Sequence, residues 1–165
     1  MAYPRAGTPP GPRTHTYRAT ASWSGSTGVG YEGYDRTHRA ACPPADVALT
    51  LSSDPAFRGD PALLNPEQLL LQAAVSCQLL SFLAVAARAR LDVVGYRDDA
   101  VAVMPEDDPP TRIRRIELRP RITVRGPVDP GRVVRLVEVA HRECFIANTL
   151  GCEMGVEPTV EVLER

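Results

Sequence analysis

NPEQLLLQAAVSCQLLSFLAVAA, residues Asn65 to Ala87, is a nearly unbroken apolar run with a marked beginning. Asn65 is suited to cap a helix, Pro66 has the fixed φ of a first helical position, and Gln68 stands three residues after the cap, as a capping box requires. From Leu69 to Ala87 only Gln72, Ser76, Gln78 and Ser81 are polar. A helix this apolar on nearly every side needs other elements to enclose it. Its length approaches the ~20 residues that cross a bilayer. The four polar side chains and the many alanines fit a buried helix better, and a single mid-chain span would leave the strands on either side unexplained. Cys77 lies in the middle of the run, where a cysteine is ordinarily a small core hydrophobe.

The second half of the chain changes the reading of Cys77. A helix is predicted from the cap Asp129, with Pro130 in its first position, and Val133, Val137, Ala140 and Cys144 fall on one stripe of it. Cys144 therefore faces the same interior as the packing residues, and the first helix is the natural content of that interior.

The rest of the chain reads as strands. Thr14 to Trp23 alternates, Gly25 to Gly30 is a turn, and Tyr31 to Ala41 forms a second strand with Tyr34, Arg36 and His38 on one side. Val47 to Leu51 is a short third strand. SSDPAFRGDPALL then leads into the first helix, a long connection of the kind that either covers an entrance or simply crosses the surface. Val93 to Met104 is β-like, PEDDPP is a loop, and Arg115 to Val124 alternates as a long half-buried strand. Pro120 inside that strand demands an edge or a bulge. The arginines between its apolar residues are the solvated side of a sheet. A final strand spans roughly Cys152 to Leu163. The order is βββ-α-ββ-α-β, an α+β fold with mainly antiparallel sheet, a long buried central helix and a second helix.

With 165 residues, 44% apolar content and a net charge of -1, the chain has the size of one domain, residues 14–165, preceded by a disordered arm over residues 1–13. The charge balance gives no reason to expect nucleic acid or a membrane surface as partner. The first residues contain no apolar core of signal-peptide type, and four cysteines without a CxxC fit a reducing compartment better than a disulfide framework, so a cytoplasmic protein is expected. His15, His38 and His141 make no helical metal pair, and no metal is expected.

The segments NPEQLLLQAAVSCQLLSFL and AHRECFIANTL, with SDPAFRGDP ahead of the first and YDRTH further upstream, resemble the OsmC/Ohr family of osmotically inducible and organic hydroperoxide resistance proteins. The resemblance runs from about His15 to the end. It implies an OsmC-like, intertwined homodimer with two active sites at the subunit interface, acting as a thiol peroxidase on organic hydroperoxides without cofactor. It also implies a dithiol reductant such as a lipoyl carrier protein. Carried over residue by residue, Cys77 is the peroxide-attacking cysteine, Cys144 the resolving cysteine, Glu67 the glutamate of NPEQL and Arg36 the accompanying arginine, with Arg39 as the alternative. Cys42 and Cys152 are bystanders, and His141 is a satisfied core histidine.

These residue types suit the chemistry. A thiolate attacks a peroxide oxygen to give sulfenic acid, and a second thiol condenses with it to a disulfide. Burial raises a thiol pKa, which a permanently charged arginine offsets, and a glutamate orients that arginine. Glu67 and Cys77 are ten residues apart, roughly 15 Å along a helix, so they do not meet directly. Either Arg36 bridges the gap, or Glu67 and Arg36 serve the cysteine of the other subunit, the arrangement favoured here. Two other readings of the chain stand beside this one: a non-catalytic member of the same fold that binds a small apolar ligand, and a redox sensor whose disulfide alters a partner contact.

Overall fold

The structure is a computed structural model that describes residues 14–164. The arm expected over residues 1–13 lies outside the described residues. The chain forms two compact units, which divide between Leu64 and Asn65.

The first unit is an antiparallel three-stranded sheet, β1 (Thr20–Ser22), β2 (His38–Ala41) and β3 (Ala48–Leu51), in the order β1-β2-β3. The first two strands are much shorter than the sequence pattern suggests. Alternation before Thr20 does not reflect burial, since Tyr17 is 89% exposed. Residues 23–37 are held by side chains instead of a ladder. The Trp23 indole donates to the carbonyl of Asp35 at 2.7 Å and meets Tyr34 edge-on, with ring centroids 6.3 Å apart. The connection after β3 is compact. Asp54 accepts from the amide of Ala56 and Asp60 from that of Ala62, both at 2.8 Å, while the Ser52 hydroxyl accepts from the amide of Asp60 at 3.0 Å. Gly59 is required there, because a Cβ would lie 1.6 Å from the carbonyl oxygen of Ser53.

The second unit is built on α1 (Pro66–Arg88). Its capping box is closed: the Asn65 side chain accepts from the Gln68 amide at 2.8 Å, and the Gln68 side chain accepts from the Asn65 amide at 3.1 Å. α2 (Pro130–Glu143) starts at Asp129, whose carboxylate accepts from the amides of Gly131 and Arg132, each at 3.0 Å. The predicted stripe of α2 is the buried one, with Val133, Val137, Ala140 and Cys144 all at most 1% exposed. Val133, Val137 and Ala140 pack with Phe82, Val85 and Ala86 of α1 and with the sheet residues Ile122 and Val124.

Each of the three long strand candidates of this unit is broken once. The second half of the chain runs β4 (Asp92–Asp98), β5 (Val101–Val103), β6 (Arg115–Leu118), β7 (Pro120–Arg125), then α2, a short α3 (Phe145–Thr149), β8 (Glu153–Val156) and β9 (Thr159–Leu163). The order is therefore βββ-α-ββββ-αα-ββ rather than βββ-α-ββ-α-β. β4-β7-β9 form one sheet and β5-β6-β8 another. The breaks fall side by side. The amide of Arg119 leaves the ladder and donates to the carboxylate of Asp98 at 2.7 Å, and Pro120 and Pro158 lack the N–H that would carry pairing across. Pro120 thus begins a central strand, a place where its missing donor does no harm. β4 and β7, like β5 and β6, pair antiparallel, whereas β8 and β9 join β6 and β7 in parallel. The strand arginines lie on the solvated side. Arg97 and Arg121 meet Asp99 at 3.2 and 3.1 Å, and Arg115 and Arg119 both meet Glu117.

The central helix is buried on one face only. Ala74, Gln78, Phe82, Val85 and Ala86 are inside, while Leu70, Leu80 and Leu83 are 37%, 64% and 38% exposed. The helix is long and apolar enough to cross a membrane by length and composition, and only 28% of its most apolar window is buried within the chain.

Asn65→Ala, which opens the capping box, is expected to lower unfolding free energy by about 1 kcal/mol in urea titration, with Asn65→Asp close to wild type. An unchanged midpoint for the alanine variant would mean that packing alone sets the start of the helix.

Candidate functional site

The end of α2 sets the geometry of the site. Cys144 follows Glu143 with φ -71° and ψ 114°, leaves the helical conformation, and stands at once after α2 and before α3. The chain turns at that residue, which brings the amides of Phe145 and Ile146 to α1. The Ile146 amide donates to the sulfur of Cys77 at 3.5 Å. Cys77 is half-buried and Cys144 fully buried, and both are free thiols. The turn thus brings the sequence-predicted pair together, near enough for each thiol to act on the titration of the other.

The two sulfurs are held in different electrostatic states. Burial pushes Cys77 up, but the amide of Ile146, the Cys144 thiol, the amide of Phe145 and the Ser81 hydroxyl all stabilise the anion, and together they hold it below an ordinary thiol. Cys144 is pushed up to about 11, chiefly by burial and further by its neighbour Cys77, against the opposing amides of Ala147 and Ile146. Of the two, Cys77 is the sulfur that gives up its proton more readily and Cys144 the one that holds it. That is the asymmetry expected of an attacking and a reserve thiol.

Ser81, Gln78 and His141 complete the surroundings, and sequence reasoning assigned none of them to the site. Gln78 is fully buried next to Cys77. Its amide nitrogen donates to the carbonyl of Val137 at 3.4 Å, and its oxygen lies 3.2 Å from Nδ1 of His141, whose Nε2 lies 3.2 Å from the carbonyl of Met154. The signal was present in the sequence, because a glutamine inside an apolar helix must find partners if it is buried.

Glu67 lies further along α1. Because α1 is unbroken from Pro66 to Arg88, the ten residues from Glu67 to Cys77 remain roughly 15 Å of helix. Glu67 is half-buried and lines a groove of about 680 Å³ with Leu70, Met104, Arg112, Ile113 and Cys152. Arg36 belongs to the first unit, just ahead of β2. Its guanidinium stacks on the rings of Tyr34 and Tyr31, at 3.8 and 4.9 Å, and donates to the carbonyls of the same two residues. Its Nε is buried without a partner, and among the described residues no carboxylate pairs with it. Arg39 is exposed in β2, opposite Ser22 and Thr50. Cys42 is exposed in the first unit.

Alkylation by iodoacetamide, followed peptide by peptide in a mass spectrometer, is expected to modify Cys77 with a pH midpoint below that of an ordinary cysteine thiol. Cys144 is expected to stay unmodified up to pH 9. A Cys77 midpoint above 9 would contradict the hydrogen-bonding account of the sulfur.

The OsmC-like protein family matches residues 59–159. No curated protein matches the chain. Among solved structures, an OsmC-like protein of unknown function from Vibrio cholerae shares 25% identity, with a TM-score of 0.80, over 88% of this chain and all of its own. An organic hydroperoxide resistance protein OsmC from Legionella pneumophila has a TM-score of 0.67 at 18% identity, over 89% of this chain and 97% of its own. Another, an organic hydroperoxide resistance protein from Elizabethkingia anophelis, has a TM-score of 0.69 at 18% identity, over 92% and 99%. With the family pattern covering more than half of the sequence and the same α+β fold in these structures, the chain belongs to the OsmC-like family.

Proposed function

We propose that the chain is a homodimeric, cytoplasmic cysteine peroxidase that reduces organic hydroperoxides to alcohols. The observation that carries the reading is the turn at Cys144 that sets the Ile146 amide on the Cys77 sulfur, so that two thiols with opposite electrostatic shifts stand together. Membership in a family whose relatives include organic hydroperoxide resistance proteins agrees with it.

In the first step the Cys77 thiolate attacks the outer peroxide oxygen. The O–O bond breaks, the alkoxide leaves and takes up a proton as alcohol, and the sulfur, oxidised by two electrons, becomes sulfenic acid. In the second step the Cys144 sulfur attacks the Cys77 sulfur. The S–O bond breaks, and hydroxide leaves as water with the proton that Cys144 held. A dithiol reductant, of the lipoyl-carrier type the family resemblance implies, then takes the disulfide back to two thiols and becomes a disulfide itself.

The exposed leucines of α1 support a dimer, since a second copy would cover the apolar face that one chain leaves open. Arg36 is the cation of the proposed site and Glu67 its orienting carboxylate. The separation of Glu67 from Cys77 along α1 favours a site completed by the partner subunit. Among the described residues no salt bridge ties up the Arg36 guanidinium, which suits that assignment, although the neighbouring Asp35 feels its charge. The apolar surroundings of Cys77 favour an alkyl peroxide over hydrogen peroxide.

Peroxide-dependent oxidation of a dithiol tests the reading. Wild type is expected to turn over cumene hydroperoxide faster than hydrogen peroxide. Cys77→Ser should be inactive but folded, and Cys144→Ser should react once and stop as sulfenic acid. Arg36→Gln should lose ~10-fold or more in rate, about 1.4 kcal/mol of transition-state stabilisation. Equal rates for the two peroxides, or full turnover by Cys77→Ser, would overturn it.

Mixed dimers address the shared site. Cys77→Ser and Glu67→Gln subunits, each impaired as homodimers, are expected to recover activity when paired, because one site collects both lesions and the other is intact. No recovery would place Glu67 with the cysteine of its own subunit.

A further inference from the structure

The core of the second unit contains a polar connection that packing does not require. Gln78 is fully buried among apolar side chains, where an amide costs stability unless its hydrogen bonds are made. A leucine or methionine would fill the space without that demand. The amide is satisfied by two groups of α2, the carbonyl of Val137 and the ring of His141, and the ring reaches on to the carbonyl of Met154 in β8. The position of this connection is its significance. Gln78 follows Cys77 directly in α1, and His141 precedes Cys144 by three residues, in the last turn of α2.

We infer that Gln78 and His141 are positioning residues for the resolving step, tying the Cys144 junction to the Cys77 helix while the sulfurs themselves change state. The inference rests on the peroxidase reading above. In the reduced protein the junction is also held through the Cys77 sulfur, by the Ile146 amide and the Cys144 thiol. Oxidation to sulfenic acid removes the thiolate that those donors stabilise and adds an oxygen between the two elements. The Gln78–His141 contact uses neither sulfur, so it persists through that change and keeps Cys144 within reach of the Cys77 sulfur. Its loss affects S–S bond formation and leaves the attack on peroxide, which needs only Cys77 and its immediate donors, as it was.

Single-turnover kinetics without reductant separate the two steps. One equivalent of cumene hydroperoxide is added, samples are quenched into dimedone, and the Cys77 sulfenic acid and the Cys77–Cys144 disulfide are counted by mass spectrometry. In Gln78→Met the first step is expected to stay within about twofold of wild type, while the second slows by roughly ten- to a hundredfold, as small misplacement of reacting groups does. Gln78→Glu, which keeps the acceptor for His141 but loses the donor to Val137, is expected to resolve faster than Gln78→Met, an effect that a general loss of packing would not produce. His141→Leu removes the contact from the other side, so a folding defect in one variant leaves the test to the other. Wild-type protein that forms sulfenic acid and disulfide, with Gln78→Met and His141→Leu resolving equally fast, would overturn this inference alone. Wild-type protein whose Cys77 never forms sulfenic acid would overturn the peroxidase reading and this inference with it.

Discussion

The Ile146 amide pointing at the sulfur of Cys77 depends on three elements of the second unit being fixed at once. α1 must present its middle turn, α2 must stop at Cys144, and α3 must begin there, so that two amides and a thiol converge on one atom. None of these is a strong interaction alone. A hydrogen bond to sulfur at 3.5 Å orients more than it binds, and a five-residue helix has little stability of its own. The junction is held because the α2 stripe ending in Cys144 is fully buried against α1 and the sheet, and moving it would expose Val133, Val137 and Ala140 together.

That packing explains how one apolar environment yields two unlike thiols. Burial disfavours both anions, and the difference lies in where the donors point. At Cys77 the junction amides, the Ser81 hydroxyl and Cys144 together outweigh burial, whereas at the more deeply buried Cys144 burial outweighs the amides of Ala147 and Ile146. Losing a proton is therefore easier for Cys77 than for Cys144. Within the second unit this polarisation arises from dipoles, and an arginine brought from elsewhere would add to it.

Much of this was legible in the sequence, for identifiable reasons. The start of α1 was readable because Asn65, Pro66 and Gln68 each have a local preference that agrees with the others. The buried stripe of α2 was readable because its moment is strong: apolar residues at every third or fourth position with arginines and glutamates between them. Cys144 followed from that stripe. The strand breaks were not readable, since alternation continues through Arg119 and the place where a chain passes from one sheet to the next depends on a distant carboxylate, Asp98. Pro120 and, at the third break, Pro158 were the local warnings. α3 was missed because FIANT has no periodicity to find, and the junction amides are backbone groups that no residue type announces. At the N-terminal end, Tyr17 and Trp23 alternate as strand residues do, but few partners pair with that segment. The single chain also leaves one face of α1 open, although its composition reads as apolar all round.

The central claim is that Cys77 and Cys144 act as one redox pair. The direct measurement is disulfide mapping of protein treated with one equivalent of cumene hydroperoxide and digested without reduction. The account predicts a peptide linking Cys77 to Cys144 as the main product, with Cys42 and Cys152 still thiols. A main product in which Cys77 is joined to Cys42 or Cys152, or in which Cys144 remains a thiol beside an oxidised Cys77, would contradict it.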